Sequence, residues 1–179
     1  EDERFYKHSG IDGRSLGRAI FFFGSEGGAS TITQQLAKNM LGQGSRNTIA
    51  RMIEKLKEMI VAIKLERNFT KEEILALYLN TVEYSDHVYG IRNASRTFFQ
   101  KDASRLDVAE SAVLVGMLKA TGTYNPRTNP KQALDRRNTV IDQMVRNNYL
   151  AAAEAAKIKR VPIKLDYEKM NQNTNLAPY

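Results

Sequence analysis

Helix signals recur along this chain more densely than any other pattern, and they leave little sequence for anything but an α-helical fold. Thr70-Lys71-Glu72-Glu73 has the form of a capping box, with Thr70 as N-cap and Glu73 at the third helical position, opening the apolar run Ile74 to Leu79. Asn129-Pro130 is an N-cap followed by proline, whose missing N–H costs nothing in a first turn. From Asn47 or Thr48 onward, Ile49, Met52, Ile53, Leu56, Met59, Ile60 and Ile63 recur at three- and four-residue steps. That spacing predicts one buried helix face, opposite Glu54, Lys55, Glu58 and Ala62.

The rest of the chain is punctuated in the same way. Tyr84 to Tyr89, closed by Gly90, reads as a loop, and a helix from about Ile91 carries Ala94, Thr97, Phe98 and Phe99. Ser104 is expected to start an apolar helix from Leu106 to Lys119, the buried central one. After the loop Thr121 to Pro126, the helix begun at Pro130 should turn Ala133, Val140, Ile141, Met144 and Val145 inward and Arg136 and Arg137 outward. An alanine-rich helix, Ala151 to Lys159, precedes an extended tail with Val161-Pro162-Ile163. There is no internal repeat and little strand signal, so the fold class is all-α, and the 179 residues are read as one domain, 1–179.

Composition narrows the function. The absence of cysteine excludes a disulfide framework or a cysteine–zinc site. A net charge of +7 points to an anionic partner: nucleic acid, acidic headgroups or a phosphorylated substrate. The charge is concentrated between Lys38 and Lys71, where eight Lys/Arg face three Glu, although a solvated basic face would look the same. No apolar run is long enough to span a membrane. The chain starts abruptly at Glu1 and stops at Tyr179 without a natural end, so it is read as a piece of a longer protein with room for an upstream anchor.

Three stretches carry candidate chemistry. Gly27-Gly28 runs through Ala29 into Ser30-Thr31-Ile32-Thr33-Gln34-Gln35-Leu36-Ala37-Lys38. Glycines allow close backbone approach, Ser30 is a fitting N-cap for a helix starting at Thr31, and a helix N-terminus with a lysine one or two turns along favours an oxyanion. An ordinary glycine loop before an amphipathic helix accounts for the same residues. Glu1-Asp2-Glu3-Arg4-Phe5-Tyr6-Lys7-His8-Ser9-Gly10 sets carboxylates beside aromatics, which reads either as an acidic helix start or as a general base beside an aromatic wall. His8 serves equally as a structural or an acid–base group. Phe21-Phe22-Phe23 covers more than one helical face, which favours a membrane-dipping segment over a core strip.

Together these segments resemble the peptidoglycan glycosyltransferase domain, glycosyltransferase family 51, of class A penicillin-binding proteins. Its first motif appears as Glu1-Asp2, Phe5, His8 and Gly10, its second as Gly28 to Gln35 with Lys38, and its third as Lys55, Glu58, Ala62 and Leu65-Glu66. The fourth appears as Lys71, Glu73-Ile74-Leu75 and Tyr78-Leu79-Asn80, and the late elements as Gly116 to Pro126 and Arg136 to Val140. Two positions depart: Glu54 stands where the family usually has arginine, and Thr121 where it often has proline.

The resemblance implies a lysozyme-like helical fold with a larger head lobe and a smaller membrane-dipping lobe containing Leu16 to Phe23. It implies polymerisation of lipid II at the extracytoplasmic face of the bacterial cytoplasmic membrane. Glu1 would be the general base on the acceptor GlcNAc 4-hydroxyl, and the undecaprenyl diphosphate of the growing glycan strand would leave toward Ser30, Thr31, Gln34, Gln35 and Lys38, with Arg46 and Lys55 in support. Glu58 would be the second glutamate, acting on the leaving group through Lys38 or a divalent cation. Asp2, Phe5, His8 and Gly28 would support the site, and Phe21, Phe22 and Phe23 would touch the membrane. No cofactor is obligatory, with magnesium or manganese an option at the diphosphate. Moenomycin-type inhibitors and a C-terminal transpeptidase domain are the other expected partners. A lytic muramidase would not need the Ser30 to Lys38 constellation, and a nucleic-acid-binding domain would need a recognition helix or stacking platform that is not legible.

Overall fold

The computed structural model describes residues 2, 4–11, 30–42 and 47–169. Seven α-helices occur among them: α1 (Ile32–Leu41), α2 (Thr48–Asn68), α3 (Lys71–Thr81), α4 (Ile91–Phe99), α5 (Val108–Met117), α6 (Pro130–Arg146) and α7 (Ala152–Arg160). Short 3₁₀ turns at Phe5–Lys7 and Ala103–Arg105 complete the regular structure. Among the described residues the only β-type pairing is an isolated bridge between Glu83 and Tyr89, so the all-α class holds. The chain forms two compact units, Glu1–Val82 and Glu83–Tyr179.

In the first unit α1 packs on both α2 and α3. Leu36, Ala37, Ala62, Leu65, Ile74 and Tyr78 are buried there together with Phe5. Withdrawing each large apolar side chain from water contributes about 1.5–3 kcal/mol. The capping box predicted at Thr70 is present: the Glu73 backbone N–H donates to Thr70 Oγ1, and Glu73 accepts from the Thr70 N–H at 2.7 Å. Asn47 caps α2, as its position suggested.

The apolar stripe of α2 does not do what its periodicity predicts. Ile49 is 69% exposed, Leu56 60% and Ile60 55%, and Met52 and Ile53 are also exposed. The inward face is instead Glu58, Ala62 and Leu65, which lie four and three residues apart. Ala62 explains the reversal. Gly10, at φ +90°, comes so near that a Cβ on it would stand 3.0 Å from the Ala62 carbonyl carbon and oxygen, an approach that only a small-residue face of α2 allows.

In the second unit α5 and α6 are the main packed pair, with α7 laid against α6. Ala112, Ile141 and Ala155 are buried at their junction, with Val108, Val140, Met144 and Ile158 packed around them. The start of α5 differs from expectation. Ser104 lies in a 3₁₀ turn, and the N-cap is Asp107, whose carboxylate accepts from the Glu110 N–H while Glu110 accepts from the Asp107 N–H.

Arg137 is buried rather than outward, at 1% exposure. Its guanidinium donates to the Val161 and Lys159 carbonyls at 2.7 and 3.3 Å, so it caps the C-terminal end of α7, where a cation is favoured. Burial pulls its pKa below the ordinary value, and the Asp107 carboxylate works against that shift. The extended tail then runs past α4, where the Asp166 and Glu168 N–H groups donate to the Phe98 and Thr97 carbonyls of the helix's last turn.

Candidate active site

The first unit gathers most of the described residues singled out from sequence. Thr31, not Ser30, is the N-cap of α1: its side chain accepts from the Gln34 N–H, and Gln34 Oε1 accepts from the Thr31 N–H at 3.0 Å. The Thr31 hydroxyl also donates to the Gly10 carbonyl at 2.7 Å. Thr31 and Gln34 are therefore committed to the scaffold, each only 3% exposed. Displacing the cap by one residue frees the Ser30 hydroxyl, which accepts from Lys55 Nζ at 2.9 Å.

Lys55 is the hinge of the polar cluster, since its ammonium also donates to Glu58 Oε2 at 2.6 Å. The two lie three residues apart on α2, and the Glu58 side chain is 12% exposed against 40% for Lys55. A carboxylate so withdrawn from water needs this partner, and the pair leaves the ammonium partly open to a ligand. Glu58 is thus held by Lys55, its neighbour three residues away on α2. Lys38 is exposed in the last turn of α1, with no side-chain hydrogen bond or ion pair to another described residue. Gln35 is oriented by Tyr78, whose hydroxyl donates to Gln35 Oε1 at 3.1 Å.

The segment Asp2 to Gly10 is fastened over the N-terminus of α1. Asp2 Oδ2 accepts from the Ile32 N–H at 3.1 Å, placing a carboxylate where the helix dipole favours one. It also meets His8 Nε2 at 3.0 Å, with both side chains under a tenth exposed. The Gly10 N–H donates to His8 Nδ1, so Nε2 is the nitrogen that carries hydrogen toward Asp2. His8 accordingly orients Asp2 and the turn. Phe5 is buried with its ring against those of Tyr6 and His8.

Sequence reasoning gave no role to a third group of residues. The Thr33 hydroxyl donates to Glu66 Oε1 at 2.6 Å, and Lys71 Nζ donates to the same oxygen at 2.8 Å and to the His8 carbonyl at 2.6 Å. Glu66 and Lys71 were visible as motif positions; their convergence across α2 and α3 was not. Glu1, Gly28, Arg46 and Phe21, Phe22 and Phe23 lie outside the described residues.

A divalent cation needs several oxygen ligands around one point. Among the described residues no three His, Cys, Asp or Glu side chains form such a group, and the Glu58 carboxylate is taken by Lys55. The local chemistry is that of ammonium, hydroxyl and amide groups.

A turn bearing the Asp2 carboxylate is thus seated on the N-terminus of α1, in the same unit as the Ser30–Lys55–Glu58 cluster. Residues 1–145 match the family model for transglycosylase domains, and the chain belongs to that family. It is 39% identical to penicillin-binding protein 1F of Bacillus subtilis over 176 residues, covering 96% of this chain and 24% of that protein. It is 36% identical to penicillin-binding protein 1A of Escherichia coli over 171 residues, covering 93% of this chain and 20% of that protein. A crystal structure of penicillin-binding protein 1A from Haemophilus influenzae aligns with 76% of this chain and 17% of that one, at 25% identity and a TM-score of 0.49. The chain thus spans between a fifth and a quarter of the length of these two curated relatives.

Proposed function

We propose that this chain is a peptidoglycan glycosyltransferase that polymerises lipid II into β-1,4-linked glycan strands with inversion at the anomeric carbon. The observation that carries the reading is the docking of Asp2 on the α1 N-terminus by way of the Ile32 N–H, next in sequence to Glu1, in a unit that also holds the Ser30–Lys55–Glu58 cluster. Glu1 takes the proton of the acceptor GlcNAc 4-hydroxyl as that oxygen attacks C1 of the donor MurNAc. The bond from C1 to the undecaprenyl diphosphate breaks, and the electron pair leaves with the diphosphate. The developing negative charge is met by Lys55 and Lys38, with the Ser30 hydroxyl and the Gln35 amide as further contacts. Glu58 holds Lys55 in place, which accounts for an acidic side chain beside a diphosphate.

The apolar outer stripe of α2 supports action at a lipid surface. Ile49, Met52, Ile53, Leu56 and Ile60 are exposed together with Met40 and Leu41 at the end of α1, on a basic stretch of the chain. Among the described residues no helix is long and apolar enough to cross a membrane, so this contact is interfacial. The proposal places the chain at the outer face of the bacterial cytoplasmic membrane. Phosphoglycolipids of the moenomycin type would compete for the diphosphate contacts, and a transpeptidase domain would accompany the chain in a full-length protein.

The test is incubation with labelled lipid II in detergent and separation of the products on a gel, alongside Glu1→Gln. A ladder of glycan chains that disappears in the variant is the expected result. A ladder of equal intensity with Glu1→Gln would refute the assignment of the base.

A further inference from the structure

We infer that Lys71 is a positioning residue for the transfer reaction: it locks the turn from Arg4 to Gly10 onto α2 and α3, and contacts no substrate itself. The inference rests on the reading of Glu1 as general base, and it concerns what holds that base still.

The geometry around the ammonium leaves it no other role. Lys71 is the first residue of α3, yet its Nζ reaches back to the His8 carbonyl at 2.6 Å, 63 positions earlier in the chain. It also donates to Glu66 Oε1 at 2.8 Å and sits 4.5 Å from the centroid of the buried Phe5 ring. The ammonium thus donates to a carbonyl and a carboxylate and lies over an aromatic face. A diphosphate oxygen would have to displace one of them, so Lys71 differs in kind from Lys55, whose side chain is 40% exposed against 19% for Lys71.

What it joins is the whole first unit. Glu66 Oε1 carries Lys71 from α3 and the fully buried Thr33 from α1, so one oxygen ties α1, α2 and α3 together. Through His8 the same ammonium fixes the turn whose other end is Asp2 on the Ile32 N–H. The turn is therefore held at four points: Asp2 on the Ile32 N–H, the His8 carbonyl on Lys71, the Gly10 carbonyl on the Thr31 hydroxyl, and Gly10 against Ala62. A general base has to lie within hydrogen-bond reach of the acceptor hydroxyl, and misplacement by about 1 Å costs on the order of 10²-fold in rate.

The experiment measures initial rates of lipid II polymerisation by this chain for wild type, Lys71→Met, Lys71→Arg and the double variant Glu66→Gln/Lys71→Met. The double variant avoids an unpaired buried carboxylate and serves where Lys71→Met alone fails to fold, with circular dichroism as the check. In the folded variants lacking the lysine, kcat is expected to fall on the order of 10²-fold while KM and the affinity for lipid II stay at the wild-type values. Lys71→Arg, which keeps the charge on Glu66 and over Phe5, should restore most of kcat. Amide exchange should quicken at residues 5–10 and stay unchanged in α5 and α6.

A folded variant without the lysine that turns over at the wild-type kcat overturns the inference, as does a loss confined to KM, which would make Lys71 a substrate contact. If wild-type chain makes no glycan, or Glu1→Gln makes as much as wild type, the reading of the site fails and the inference falls with it. Wild type active, Glu1→Gln inactive and Lys71→Met unimpaired would remove this inference alone.

Discussion

Gly10 offers the sharpest test of how the site is assembled, because two separable costs meet at one position. Its φ of +90° lies where a residue with a Cβ is strained, which costs about 1–3 kcal/mol. An added Cβ would also stand 3.0 Å from the carbonyl carbon and oxygen of Ala62 and 3.2 Å from Glu66 Cγ. Real Cβ atoms rarely come so close, and the obstacle is helix backbone that cannot swing aside. Overpacking of this kind adds about 1–3 kcal/mol. Gly10→Ala should therefore destabilise the first unit by about 2–6 kcal/mol, against a whole-domain stability on the order of 5–15 kcal/mol.

Gly42 separates the two costs. It has φ +85° at the end of α1, but an added Cβ there meets nothing within 4 Å, so Gly42→Ala carries the strain alone. Gly122, with open space and no positive φ, is the neutral control. In thermal unfolding, at about 2–4 °C per kcal/mol for a chain of this size, the midpoints should fall in the order Gly10→Ala, then Gly42→Ala, then Gly122→Ala close to wild type. Glycan synthesis should drop with Gly10→Ala even well below its midpoint, since the displaced turn follows the proposed base, Glu1, in sequence. A Gly10→Ala midpoint no lower than that of Gly42→Ala would mean that the turn does not seat on Ala62.

Two further outcomes follow from the same geometry. Replacing Ile53, Leu56 and Ile60 by serine should leave folding stability nearly unchanged, because all three are exposed, and should weaken partitioning onto anionic lipid vesicles by about 1 kcal/mol per side chain. Sedimentation with vesicles measures this, and unchanged partitioning would assign the stripe to another contact. In the second unit, burial first and the Asp86 carboxylate next push the Tyr167 phenol above its ordinary pKa. The folded chain keeps that proton after the unfolded chain has lost it, so the stabilisation is complete below about pH 10 and declines as pH rises through the folded value. The advantage of wild type over Tyr167→Phe in denaturant titrations should shrink above that pH, and a constant difference would refute the docking of the tail through Tyr167.

How far the sequence could be read depended on whether a signal was local. The Thr70 and Asn129-Pro130 helix starts are satisfied or shaped by residues within one turn, and both appear where expected. Asp107 and Glu110 stand at the same capping-box spacing, and only the apparent claim of Ser104 on that helix hid them. The Thr31 cap was missed by one residue because serine and threonine are both good caps, and what chooses between them is the Gly10 carbonyl, 21 positions away. Arg137 reads in sequence as an outward residue, yet it is buried. Besides the Asn138 side chain, it donates to the Lys159 and Val161 carbonyls at the end of a helix more than twenty residues further on, and no periodicity in its own helix reports them.

The reversal of α2 has the widest consequence. Periodicity identifies an apolar stripe but not what it faces, and the usual answer, a protein core, fails here because the opposite stripe has a prior claim. Lys55 turns toward Ser30 with Glu58 paired beside it on the same helix, and Ala62 must turn inward to admit Gly10. These residues lie one turn apart, so one rotation of the helix serves both, and the same rotation turns Ile53, Leu56 and Ile60 outward. Polar cluster and apolar surface are then opposite sides of a single helix about 10–12 Å across. The sharpest consequence lies in combination. Serine substitutions on the outer stripe should raise KM for lipid II presented in vesicles and leave the rate with detergent-dispersed, short-chain lipid II unchanged. An equal loss in both formats would show that the stripe supports the fold of α2 and not the approach to the membrane.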